Sequence, residues 1–215
     1  MTFARPPLAD APAMAVYGDA LVAAGDPLGT LVQLQLALEA RPGDAGLVAA
    51  EAHHLAAHSR DLLGPAALHT SLCWLRWRRG FVVEATIRSV WDGELDPSVG
   101  TPRRPRLVKA TRALLQAPVC VGLEALRLEL PSSTRAAALL TAAAWEVRHG
   151  APRSLRRLHV GTLGRDEDEW GVPTGAWFDD PPPLPSFRAS LATDWVLEVS
   201  VGAGLSQALG RVFAR

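Results

Sequence analysis

The sequence predicts an α/β protein: a helical N-terminal cap over residues 1–71, then an arc of parallel strands and helices over residues 72–215. Three observations carry that expectation. The first third has apolar residues at helical spacing, punctuated by Gly and Pro. A β-branched run, Phe81-Val82-Val83-Glu84-Ala85-Thr86-Ile87, then changes the character of the chain. Beyond it, strand-like and helix-like segments alternate, as crossover-connected parallel strands require.

Ala13 to Ala24 places Val16, Ala20, Leu21 and Ala24 on one helical face and stops at Gly25-Asp26-Pro27. A second helix runs from Leu28 to Ala40 with Leu31, Leu34 and Leu38 inward, ending at Arg41-Pro42-Gly43-Asp44. A third runs from Ala45 to Leu63 with Leu47, Ala50, His54 or Leu55, and His58 spaced helically, and closes at Gly64-Pro65. Leu72 to Gly80 leads into a first strand, Phe81 to Ile87. Leu107 to Ala117 reads as helix and stops before Pro118. Leu123 to Leu130 reads as strand. Ser132-Ser133 can cap a helix from Thr134 to His149, with Gly150 past its end. Leu155 to Leu163 and Val196 to Val201 are the third and fourth strands, and Leu205 to Phe213 a terminal helix. Between those strands, Gly164 to Ser186 is a Pro- and Trp-rich loop. It holds Asp166-Glu167-Asp168-Glu169 and the aromatics Trp170, Trp177 and Phe178.

The strands share a pattern. Leu123-x-x-Leu126-x-Leu128 and Leu155-x-x-Leu158-x-Val160 match a leucine-rich-repeat strand template, and Val82-x-x-Ala85-x-Ile87 fits it as well. Leu197 and Val199 supply the later positions of a fourth copy. The expected architecture is therefore a short leucine-rich-repeat-like arc, a solenoid in miniature. An ordinary α/β sheet with leucines in its strands is the alternative.

Composition narrows the function classes. Of 215 residues, 48% are hydrophobic and 20% charged, a globular balance. Basic and acidic residues number 22 each, which gives no electrostatic footprint for nucleic acid or an anionic membrane. Lys109 is the one lysine, an arginine bias expected of a GC-rich bacterial genome. Two cysteines, Cys73 and Cys120, cannot build a disulfide framework or a four-cysteine zinc site. Pro6, Pro7 and Pro12 interrupt the start where a signal peptide needs an apolar run, and no stretch is apolar enough to span a bilayer. The expectation is a cytoplasmic protein.

Tyr17-Gly18-Asp19-Ala20-Leu21, Gly25-Asp26-Pro27-Leu28-Gly29 and Leu34-Gln35 together resemble a bacterial module, the repeat-companion domain. Leu63-Gly64-Pro65 and Trp77-Arg78-Arg79-Gly80-Phe81 resemble its second half, so the resemblance covers about residues 13–87. It implies a helical unit followed by leucine-rich-like repeats and implies no catalytic residues. Read physically, Gly25 and Gly29 suit positive φ, Asp26 caps the next helix, and Tyr17 belongs to the core with its hydroxyl at the rim.

Candidate chemistry is sparse. Glu51, His54 and His58 share a helix face, but a di-iron site needs a second such motif beside it and more carboxylates than this cluster offers. Cys73 and Cys120 read as small buried hydrophobes, with no local support for pairing either with His69 or His159 as a nucleophile. Gly202-Ala203-Gly204 lacks the third glycine of a dinucleotide loop. Trp74, Arg76, Trp77, Arg78 and Arg79 could stack on bases. A simpler role packs Trp77 between the helices and the first strand, with the arginines covering the seam. No cofactor, metal or catalytic residue is assigned.

The strand faces are more informative. If the leucines point to the core, the alternate face carries Glu84, Thr86 and Arg88, then Arg127 and Glu129, then Arg157 and His159, then Glu198 and Ser200. A fully covered parallel sheet would not alternate in this way. One reading is a solvated face with cross-strand pairs such as Glu129 with Arg157. The other is a non-catalytic protein- or peptide-binding surface. There Glu84, Arg88, Arg127, Glu129, Arg157, His159 and Glu198 hold the partner, and Trp170 and Trp177 border it. Alternatives are an accessory enzyme using His159, Arg157 and Glu129, or an immunity-like inhibitor of a partner protein. A homodimer through an exposed edge strand is also compatible.

Overall fold

The computed structural model describes residues 4–88, 106–131, 136–163, 186–190, 196–201, 209 and 212. The chain begins with helices α1 (Ala11–Ala23), α2 (Pro27–Ala40), α3 (Ala45–Ala57) and the short α4 (Ser59–Leu63). A 3₁₀ segment, Gly64–Leu72, leads into the hairpin β1 (Cys73–Arg78) and β2 (Phe81–Arg88). Then come α5 (Arg106–Gln116), a 3₁₀ turn (Pro118–Gly122), β3 (Ala125–Pro131), α6 (Ala136–Gly150), β4 (Arg157–Leu163), β5 (Ser186–Ser190) and β6 (Val196–Val201). No described helix is long and apolar enough to cross a membrane.

The protein is mixed α/β with a helical N-terminus. Its strands form one sheet in the order β1-β2-β3-β4-β6-β5. The four inner strands run parallel, while β1 and β5 pair antiparallel at the two edges. Neither edge strand was expected. Cys73–Arg78 is a strand and not a lead-in, and β5 begins where the long loop was expected to end.

The repeated template has a direct structural meaning. Ala85, Leu126, Leu158 and Val199 lie side by side across the sheet, as do Ile87, Leu128, Val160 and Val201. The lateral neighbours on β6 are therefore Val199 and Val201, two residues later than the expected Leu197 and Val199. The laddering starts ahead of the strands: Glu124 N donates to Val83 O at 2.8 Å, and Arg156 N donates to Glu124 O at 2.8 Å.

On β2, β3 and β4 these aligned residues face α5 and α6. Leu107 and Leu114 of α5 and Leu140, Ala143, Ala144 and Val147 of α6 share one buried cluster with Ala85, Ile87, Leu126, Leu128, Leu158 and Val160. The same cluster takes in Leu31 of α2, Leu62 and Leu63 of α4, and Ala66. The helical segment and the sheet thus bury a common core. Arg112 clamps Glu146 with two hydrogen bonds of 2.8 and 2.6 Å, tying α5 to α6. Leu209 and Val212, all that is described of the expected terminal helix, are helical and buried in this core.

In the helical segment the expected faces are partly rotated. α1 buries Met14, Gly18 and Leu21, while Val16 is exposed. α2 buries Gly29, Leu31, Val32 and Gln35, leaving Leu34 and Leu38 half-buried. The reason is close packing of α1 on α2. A Cβ at Gly29 would lie 2.5 Å from Val22 N and 2.7 Å from Gly18 O, so glycine lets the two backbones approach. Gly29 serves contact and sits within a helix; positive φ belongs to Gly25, at +74°. Asp26 caps α2 as expected, its Oδ1 accepting from Leu28 N at 2.9 Å. Helix α3 buries none of its residues fully and breaks at His58 (φ −112°, ψ 19°), so the expected helix to Leu63 is two pieces.

Candidate functional site

The site grows from the β1–β2 hairpin outward. Arg78 pairs with Phe81 across a two-residue loop, Arg79-Gly80, whose φ values of 49° and 83° are both positive, as a type I′ turn requires. A non-glycine residue in this region is unusual. Arg79 is held there by Glu39, with Nε 2.9 Å and Nη2 2.6 Å from Oε2, and by Nη1 donating to Leu8 O at 2.6 Å. Gly80 N donates to Gln35 Oε1 at 2.6 Å, and Gln35 Nε2 donates to Glu51 Oε1 at 2.6 Å. The seam between helices and sheet is thus closed by Arg79, Gln35 and Glu51, with Trp77 partly buried against the core.

One residue beyond this turn the register slips. Arg76 opposes Glu84 but Trp77 opposes Val82, leaving Val83 as the extra residue of a bulge. Val82 thereby joins the main core, while Phe81 packs with Met14 and Val32 in a second cluster that Tyr17 also borders.

From Glu84 onward the sheet alternates, and the face opposite α5 and α6 is polar. Its first row across the strands is Arg76, Glu84, Ala125, Arg157, Glu198 and Arg188; the second is Trp74, Thr86, Arg127, His159, Ser200 and Ser186. A third joins Arg88, Glu129 and Gly161. Seven of the nine expected residues, Glu84, Arg88, Arg127, Glu129, Arg157, His159 and Glu198, stand at positions of one face. Trp170 and Trp177 lie outside the described residues, as do Ser132-Ser133 and Gly202-Ala203-Gly204.

The pairing on this face differs from the expected Glu129 with Arg157. Parallel register sets Arg157 beside Ala125, four residues before Glu129. Arg157 Nη2 instead reaches across β3 to Glu84 Oε1 at 3.1 Å, and Arg76 Nη2 donates to the same oxygen from β1. The Ala125 methyl is short enough to allow that crossing. Glu129 sits deeper, 6% exposed, with Arg88 Nε at 3.4 Å, Arg127 Nη1 at 3.8 Å and His159 Nε2 at 4.0 Å.

The His159 ring lies against Gly161, where a Cβ would meet its Nε2 at 2.9 Å. Burial, helped by the Arg127 charge, pushes its pKa down to about 4. His159 is therefore neutral at pH 7, and its approach to Glu129 is a dipolar contact and not an ion pair. A neutral imidazole this weakly basic suits a hydrogen-bonding role better than proton transfer near neutrality.

The outer side chains reach solvent: Arg157 is 63% and Arg76 50% exposed at the side chain, and Trp74 is 39% exposed. Among described side chains the face holds four guanidiniums, Arg76, Arg88, Arg127 and Arg157, against the carboxylates of Glu84 and Glu129. Sequence reasoning missed Arg76, Trp74 and Ala125 as members. The signal was the alternation in Cys73-Trp74-Leu75-Arg76, obscured because Trp74 is apolar yet faces outward.

The other candidate chemistries have structural partners. Glu51 accepts from Gln35, His54 Nε2 lies 2.8 Å from Pro27 O, and His58 Nδ1 lies 3.3 Å from Asp61 Oδ2. Among the described residues no group of three or more His, Cys, Asp or Glu is arranged to hold a metal. Cys73 and Cys120 are free thiols, each pushed up to about 12 chiefly by burial, which leaves neither as a thiolate at neutral pH. Comparison with protein-family models, curated proteins and solved structures returned no match for this chain.

Proposed function

We propose that the protein is a non-catalytic recognition module that binds a protein or peptide on the polar face of its sheet. One observation carries the reading: an arginine-rich, partly solvent-exposed set of side chains is laid out in lateral rows by the register of the strands. Arginine and tryptophan are the residues that most often anchor interfaces, and here both project from a rigid ladder. The neutral His159 and the outward guanidiniums favour binding over acid–base chemistry. We further read the four parallel strands, which lie side by side in the sheet with α5 and α6 against β2, β3 and β4, as a short leucine-rich-repeat-like arc. The helical segment would then be its repeat-companion-like partner. Such arcs commonly present their strand face to a partner.

The test is a peptide array of mixed composition probed with wild type and with Arg127→Glu/Arg157→Glu. The Arg157 pair is exposed and worth about 0–1 kcal/mol, whereas Arg127→Glu faces the buried Glu129, so the double variant should lose some stability and its fold is verified by circular dichroism before binding is read. Peptides captured by wild type should be lost. Retention of the same peptides by a folded double variant would remove the sheet face as the binding surface.

A further inference from the structure

Resting on that reading, we infer that the group this face recognises is a carboxylate of an acidic peptide segment, seated on the solvent side of Glu84 between Arg76 and Arg157. Ala125 is the gap in an otherwise charged row: Glu84 flanks it on β2 and Arg157 on β4. The Arg157 side chain crosses that gap and Arg76 comes from β1 on the other side, so both converge on a single oxygen, Glu84 Oε1. Two guanidiniums meet one carboxylate there, so the spot keeps a positive charge. A guanidinium carries five N–H donors, and one shared oxygen engages a small part of that capacity. A second carboxylate placed on the solvent side of Glu84 would face donors from both arginines, in the bidentate manner arginine favours.

The neighbouring positions extend the site. Arg127 follows two residues along β3 on the same face, and its nearest carboxylate contact, at 3.8 Å to Glu129, is too long for a hydrogen bond. Trp74, opposite Thr86, adds an exposed aromatic wall at the β1 side. Charge complementarity selects an acidic occupant. A peptide fits better than a nucleic acid, because the whole chain balances 22 basic against 22 acidic residues and so offers no extended basic footprint for a phosphate backbone.

The experiment is fluorescence anisotropy of the full chain with labelled oligo-glutamate, a matched oligo-glutamine and a single-stranded oligonucleotide. Oligo-glutamate should bind in a salt-sensitive manner and the other two should not. Ala125→Glu sets a competing internal carboxylate beside Arg157 and should weaken oligo-glutamate binding by about tenfold or more, a loss of roughly 1.4 kcal/mol. Arg76→Gln/Arg157→Gln should do the same, and circular dichroism verifies the fold of each variant. Undiminished binding by folded Ala125→Glu, equal binding of oligo-glutamine, tighter binding of the oligonucleotide, or no binding of oligo-glutamate would each overturn the assignment. If array peptides without acidic residues are still lost on charge reversal, the recognition reading stands and the carboxylate assignment alone falls. Failure of both experiments removes both.

Discussion

His159 carries two contacts that pull its chemistry in different directions: a carboxylate at 4.0 Å and burial beside Arg127. Burial and Arg127 win, and its pKa falls from 6.5 to about 4. In the unfolded chain the ring takes up a proton as the pH drops through 6.5, whereas in the folded protein it does so only near 4. Between those values the unfolded state binds more protons, so stability falls on acidification and levels out below the folded pKa. Each unit of difference corresponds to about 1.4 kcal/mol. Thermal denaturation at pH 7.5 and 4.5 should therefore show a larger loss of Tm for wild type than for His159→Gln. Equal losses in the two proteins would show that His159 contributes nothing to acid sensitivity.

The hairpin of β1 and β2 joins local backbone demand to long-range packing. Gly80 has φ +83°, and a Cβ there would stand 2.6 Å from Val32 Cγ2 and 2.9 Å from Leu28 Cδ1. Gly25 has φ +74° with nothing within 4 Å of the same added atom. Gly25→Ala should therefore lose the conformational term alone, about 1–2 kcal/mol. Gly80→Ala should lose that and a packing term, about 2–4 kcal/mol in all. Chemical denaturation of both variants compares them, and equal losses would mean that α2 yields freely to the turn. Elements such as β2, β3, β4 and β6 were legible because each alternates against a one-sided core. β1 was not, since Trp74 faces outward and hides the alternation. β5 was not, because Ser186-Phe187-Arg188-Ala189-Ser190 carries little pattern of its own and is defined by pairing with β6. The polar face was readable residue by residue, but its ion pairs depend on lateral register. Nothing in the sequence says that Arg157 stands beside Ala125 and so reaches Glu84 and not Glu129.

At the scale of the molecule, the sequence divides at about residue 71, whereas the apolar core crosses that point. Leu31 of α2 is fully buried in the same cluster as Leu126 and Leu128 of β3 and Leu140 of α6. The polar seam crosses it too, through Gln35 with Gly80 and Glu39 with Arg79. A helical segment joined in both ways should not unfold by itself, and the sheet should not outlast it. Leu31→Ala removes a buried side chain and should cost about 2–5 kcal/mol. If the two parts form one cooperative unit, that loss is felt equally in β3. Hydrogen exchange of the Leu126 and Leu128 amides should then accelerate by the same factor as exchange in α2, provided both exchange through global opening. Acceleration confined to α2, with β3 protection unchanged, would show instead that the helical segment opens as a separate unit and that the polar face is carried by the sheet and its two helices alone.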